Sequence, residues 1–221
     1  MTPRTRAFVR LAATLTAEPW ALTRQAVEDI SRQGLDAEQV ETAIGVISMF
    51  NYFTRVADAT GIEFDYLTPL PAFEPDLRQI TALRPSRSVT SNRTVGRSRR
   101  QPRNRQLQSA WESWRAYVLE AEEPISRRER RLLASIAAEE ATDWEGVETL
   151  NGLKFRTDGD DQLIGFARKL SRQPWKMDAG DLARLRAVGY SDTALLHVIS
   201  VIAHQNADSR LAVGLSAADG T

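Results

Sequence analysis

Shifted by 155 positions, residues 12–57 of this chain lie on residues 167–212 without a gap, and that register constrains the fold more than any other feature. Eleven of the 46 aligned pairs are identical, including Pro19/Pro174, Trp20/Trp175, Gly34/Gly189, Asn51/Asn206, Arg55/Arg210 and Ala57/Ala212. The unmatched positions mostly keep apolar character where a helix would bury it. A match of this length reads as one supersecondary unit written twice.

The pattern inside each copy is helical. In the first, Phe8, Leu11, Ala12 and Leu15 recur at helical spacing until Pro19 and Trp20 break the run. Thr23 then caps a second helix that stops at Gly34, and Asp36 caps a third that ends near Gly61. Along that third helix Val40, Ala43, Ile44, Ile47, Phe50 and Val56 are expected on one buried face. The second copy repeats the scheme, with Ser191 or Asp192 capping its long last helix. Repeated Pro-Trp reads as a helix-breaking corner with an aromatic plug. No stretch alternates with the period of a strand, so an all-α fold with an internally duplicated helical half-unit is expected.

Between the copies the composition changes. From Arg78 to Arg105 there are nine Arg and no acidic residue, although the whole chain balances 29 basic against 29 acidic residues. The rest of the molecule is therefore acidic. Sparse apolar residues make residues 76–105 a basic, flexible linker. Two other readings are an arm for RNA or phosphate and an arm docked on the protein's own acidic surface. Nucleic acid is not the expected partner, because the run lacks the interleaved aromatics that stack bases. Helical pattern resumes with Leu107, Trp111, Trp114, Val118 and Leu119 on one stripe. Ser126 with Glu129, and Thr142 with Glu145, read as capping boxes opening two further helices. The domain scheme is thus a half-unit over 1–75, the linker over 76–105 and a complete domain over 106–221.

The absence of cysteine excludes disulfides, zinc–thiolate sites, iron–sulfur clusters and thiol redox cycles. Glu18 and Pro19 close the N-terminal apolar run too early for a signal peptide, and no apolar stretch approaches a membrane span, so a cytoplasmic location is expected.

The segments "PISRRERRLLASIAAEE", "FARKLSRQPW", "VISVIAHQN" and, in the first copy, "MFNYFTRVADATGIEFDY" resemble the peroxidase-related branch of the alkylhydroperoxidase D-like and carboxymuconolactone decarboxylase superfamily. The resemblance covers roughly residues 8–75 and 106–215. It implies an all-α bundle assembled as trimers or hexamers, as a homo-oligomer or with a paralogue. It also implies, for redox members, a Glu, a Cys-x-x-Cys pair at a helix N-terminus and a His. Here those positions fall on Arg131, Asp143, Gly146 and Leu150. Thiol peroxidase activity is therefore expected to be absent, and the cysteine-free chain is expected to bind or act on a small organic molecule by acid–base chemistry. The alternative is a catalytically inactive structural or regulatory subunit.

The candidate groups are His204, His197, Glu140 and Asp143. A carboxylate facing an apolar pocket would have a raised pKa and could move protons, yet Asp143 and Glu145 also suit a helix N-terminus, and Glu139, Glu140 and Glu148 suit a solvated face. His197 and His204 are the chain's two histidines, two helical turns apart, too far to bind one metal ion. Each reads either as a structural histidine or as a general base, with His204 preferred for the latter. No cofactor and no metal are expected.

Overall fold

The computed structural model describes residues 2–62 and 102–219, and every regular element among them is helical. The basic run up to Gln101, and with it the linker reading, lies outside the described residues.

The elements are α1 (Pro3–Ala17), α2 (Arg24–Ser31), α3 (Ala37–Thr60), α4 (Arg105–Glu120), α5 (Arg127–Glu140), α6 (Trp144–Leu150), α7 (Asp161–Arg172), α8 (Ala179–Ala187) and α9 (Asp192–Asp219). Short 3₁₀ turns follow α1 at Pro19–Ala21 and α7 at Pro174–Lys176. Local chemistry sets most boundaries. Thr23 caps α2, Asp36 forms a capping box with Gln39 on α3, and Ser126 does the same with Glu129 on α5. The Ser191 hydroxyl accepts from Ala194 N–H at the start of α9 (3.2 Å), and Gly61 ends α3 in the left-handed region at φ 66°. At α6 the expected cap is displaced by one residue. Asp143, not Thr142, accepts from the Gly146 N–H, and the helix stops at Leu150, where Asn151 turns left-handed.

α9 is the hub, packing against α1, α2, α3, α4, α5, α7 and α8. On one side Leu11, Leu15 and Ile44 meet Leu211 and Leu215; on the other Leu132, Leu133 and Ile136 meet Val198, Ile199 and Ile202. α3 and α9 run antiparallel. Ile44 lies so close to Gly214 that a Cβ there would fall 2.5 Å from its Cγ2, while Arg55 reaches the level of Asn206 through Ser171. Gly152 is a second obligatory glycine, since a Cβ would overlap the Arg131 carbonyl of α5.

The buried face of α3 keeps the expected Val40 and Ile44, with Ala43, Ile47 and Val56 half-buried beside them, but Phe50 departs from it. That face carries Val40, Ile44, Ser48, Asn51, Arg55 and Ala59, and leaves Phe50 61% exposed beside exposed Val46 and Phe53. Hydrogen bonding overrides apolar periodicity here, because Asn51 and Arg55 find their acceptors only by turning inward. Asn51 Nδ2 donates to Thr16 Oγ1 (3.0 Å) and to Ile47 O (2.9 Å). Arg55 donates to Asn51 O, to Asn51 Oδ1 and across to Ser171 O, at 3.0, 2.7 and 3.0 Å. The positions 155 residues on repeat this set. Asn206 donates to Ser171 Oγ and Ile202 O, and Arg210 donates to Asn206 O, Asn206 Oδ1 and across to Thr16 O. The two arginines therefore cross, each holding a helix of the opposite set. Trp175, expected to plug its corner, is 45% exposed instead.

Candidate functional site

From His204 to Arg210, α9 carries six polar residues and one alanine, and all seven are buried. Asn206 and Arg210 belong to the crossed clasp with α3. Gln205, Asp208 and Ser209 face α4 and the start of α6, where they form a hydrogen-bonded array.

The array starts on α4. Trp111 Nε1 donates to Asp208 Oδ1 at 2.9 Å, and Gln205 Nε2 lies 3.4 Å from Asp208 Oδ2 and 3.0 Å from Ser209 Oγ. Ser209 Oγ donates to Asp143 Oδ2 at 2.7 Å, whose other oxygen caps α6 through Gly146 N–H. One carboxylate thus stands at each end of the array. Arg115, one turn after Trp111 on α4, places Nε 3.8 Å from Asp208 Oδ2. Around these groups α4 and α9 enclose a cleft of about 200 Å³ that opens to solvent and is floored by Trp111, Leu119, Asp208 and Leu211.

His204 is fully buried, at 0% exposure. Its ring stands edge-on to Trp114 with centroids 4.5 Å apart and lies 6.1 Å from Trp111. Trp114 in turn packs against Tyr52 at 4.8 Å. In this arrangement the imidazole is a core aromatic and presents no nitrogen to a solvent-borne substrate.

His197 lies two turns away, half-buried. Its Nδ1 is 3.1 Å from Arg130 Nη2. A guanidinium only donates, so Nδ1 accepts and the imidazole is neutral, with its proton on Nε2. Burial, and then the Arg130 charge, push the His197 pKa down. Arg130 is itself buried and satisfied by the carbonyls of Val118, Glu123 and Ile125. Its pKa is lowered by desolvation.

Glu140 is buried against two arginines of α7. Arg172 grips it through both Nε and Nη2, and Arg168 Nε lies 3.6 Å away. This is an ion pair between helices, α5 to α7. Asp143 is a cap and array terminus. The structure therefore brings Asp143 into one network with the neighbours of His204, and leaves His197 and Glu140 in separate contacts. Of the remaining positions implied by the resemblance, Arg131 pairs with Glu120 on the surface at 3.1 Å, and Gly146 and Leu150 are buried.

Trp111, Arg115, Gln205, Asp208 and Ser209 were not among the sequence candidates. Their signal was present as the polar run His204–Arg210, interrupted only by Ala207, in a helix whose preceding turns are largely apolar, matched by a Trp and an Arg four residues apart on α4. Among the described residues no three His, Asp or Glu side chains converge on a point that would hold a metal ion, and no helix is long and apolar enough to cross a membrane. No family model matches the chain, and neither the curated proteins nor the solved structures contain a significant match.

Proposed function

We propose that this chain is a cysteine-free relative of the alkylhydroperoxidase D-like proteins, built from a duplicated helical half-unit, that has lost thiol chemistry and serves as a non-catalytic subunit of an oligomer. The matching hydrogen bonds at Asn51/Arg55 and Asn206/Arg210 support the duplication. The oligomer, a trimer or hexamer of this chain or an assembly with a paralogue, rests on the resemblance alone. The observation that carries the reading is the complete burial of His204 between Trp111 and Trp114. An acid–base enzyme working through His204 needs that ring at a substrate, and here it is core. Of the other two buried candidates, Glu140 is already paired with Arg172, and Asp143 caps α6 through the Gly146 N–H.

Diethyl pyrocarbonate, which acylates accessible imidazoles, tests this directly because the chain has two histidines. Peptide mapping of the native protein is expected to find His197 modified and His204 untouched until denaturant is added. Modification of His204 in the native state would mean that the Trp-lined enclosure opens, and would return the acid–base reading to first place.

A further inference from the structure

The cleft between α4 and α9 has a composition that selects a ligand class, and we infer that it binds a small zwitterion, an α-amino acid with a short aliphatic side chain. Its volume of about 200 Å³ is below the range usual for drug-sized ligands and suits a molecule of a few heavy atoms. Two opposite charges meet there. Asp208 is nine-tenths buried and held in place by Trp111 Nε1 and Gln205 Nε2, so its carboxylate is pre-oriented. The Arg115 guanidinium makes only a long ion pair to it, 3.8 Å at Nε, and among the described residues Arg115 donates no hydrogen bond. Glu112, one turn before Arg115 on the same rim, adds a second, exposed carboxylate, while the third lining carboxylate, Glu120, is paired with Arg127 and Arg131.

Each singly charged ligand meets an opponent in this cleft. A bare cation attracted by Asp208 and Glu112 would sit against Arg115, and a bare anion on Arg115 would sit against both carboxylates. A molecule carrying both charges on neighbouring atoms satisfies the set. Its carboxylate takes the terminal N–H groups of Arg115 in the paired geometry that guanidinium offers. Its ammonium faces Glu112 and Asp208, and its side chain lies on Leu119 and Leu211. The inference does not depend on the family reading or on whether the protein is catalytic, since nothing in the cleft is asked to react.

The test is a titration of the full chain followed by the indole N–H resonances, with the Trp111 signal identified from Trp111→Phe. L-Valine, isobutylamine and isovalerate share one carbon skeleton and differ only in charge. The expected result is a saturable shift of the Trp111 signal with L-valine, and binding at least roughly tenfold weaker for each singly charged analogue. Arg115→Gln and Glu112→Gln change partly or fully exposed side chains, and each is expected to weaken L-valine binding by a similar factor with the melting temperature kept. Absence of a saturable shift up to ~10 mM L-valine would overturn the inference. So would equal binding of isobutylamine, or an unchanged response in Arg115→Gln.

Discussion

At Asp160 one carboxylate holds two separate stretches of chain. Arg128 of α5 grips both oxygens at 2.7 and 2.8 Å, and the Thr157 N–H and hydroxyl donate at 2.7 and 3.0 Å. The Arg128 hydrogen bonds are the main cause of its pKa falling to about 2, from an ordinary 3.8. A carboxyl whose folded pKa is depressed adds stability above its unfolded value, and that contribution disappears as pH falls through the folded one. At roughly 1.4 kcal/mol per unit this is about 2 kcal/mol, lost between about pH 4 and 2. His197 acts in the same sense one window higher. Its lowered pKa means the unfolded chain takes up the proton first, so its contribution shrinks as pH falls below about 6.5. Urea midpoints are therefore expected to drop in two steps on acidification. In His197→Gln the upper step should vanish while the lower stays, and in Arg128→Gln the lower step should be blunted. An upper step that survives in His197→Gln would show that another group titrates there. Neither contact could be located from sequence, because Arg128–Asp160 and Arg130–His197 join residues far apart in the chain and carry no local spacing rule.

Helix α3 shows what a single helix can and cannot disclose. Its ends were legible, since Asp36 and Gly61 act on backbone groups within a turn of themselves. Its buried face was legible only in its first half, at Val40 and Ile44, because beyond them the face was chosen by polar partners on α1 and α7. The repeated Asn-x-x-x-Arg was visible in the sequence, and its clasp role appears only when Ser171 and Thr16 are in place. The site divides the same way. The polar run on α9 was readable, whereas its meeting with Trp111 and Arg115 depended on how α4 crosses it. Arg55 gains its place through three acceptors, two on Asn51 and one on Ser171, and burial lowers its pKa to about 10 despite Asp58 nearby. Lysine has one ammonium and cannot span that fork. Arg55→Lys and Arg55→Met are therefore both expected to cost about 2–4 kcal/mol, as stranded buried acceptors do, read from the shift in urea midpoint at constant m-value. A Lys variant within about 0.5 kcal/mol of the parent would show that charge, rather than the fork, is what the site needs.

Over the whole molecule the crossed arginines tie α1–α3 to α7–α9. Each set supplies the donor that satisfies a carbonyl in the other, and α9 lies in both apolar clusters. Neither set can leave without stranding buried acceptors in its counterpart, so unfolding is expected to be one transition. Loss of helix by circular dichroism and exposure of the five tryptophans by fluorescence should coincide in urea. Separate midpoints would mean that residues 2–62 come away first. The hub position of α9 has a consequence on the ribosome. It is the last of the nine described helices to be translated, after roughly ten to forty seconds of synthesis at ordinary elongation rates. Until then the apolar sides of α1, α3 and α5 have no lid, and the clasp from Arg55 closes on a strand of chain with no Arg210 to answer it. A message cut short before codon 192 would yield a product with most of its helices and no closed interior, fit for a holdase or a protease.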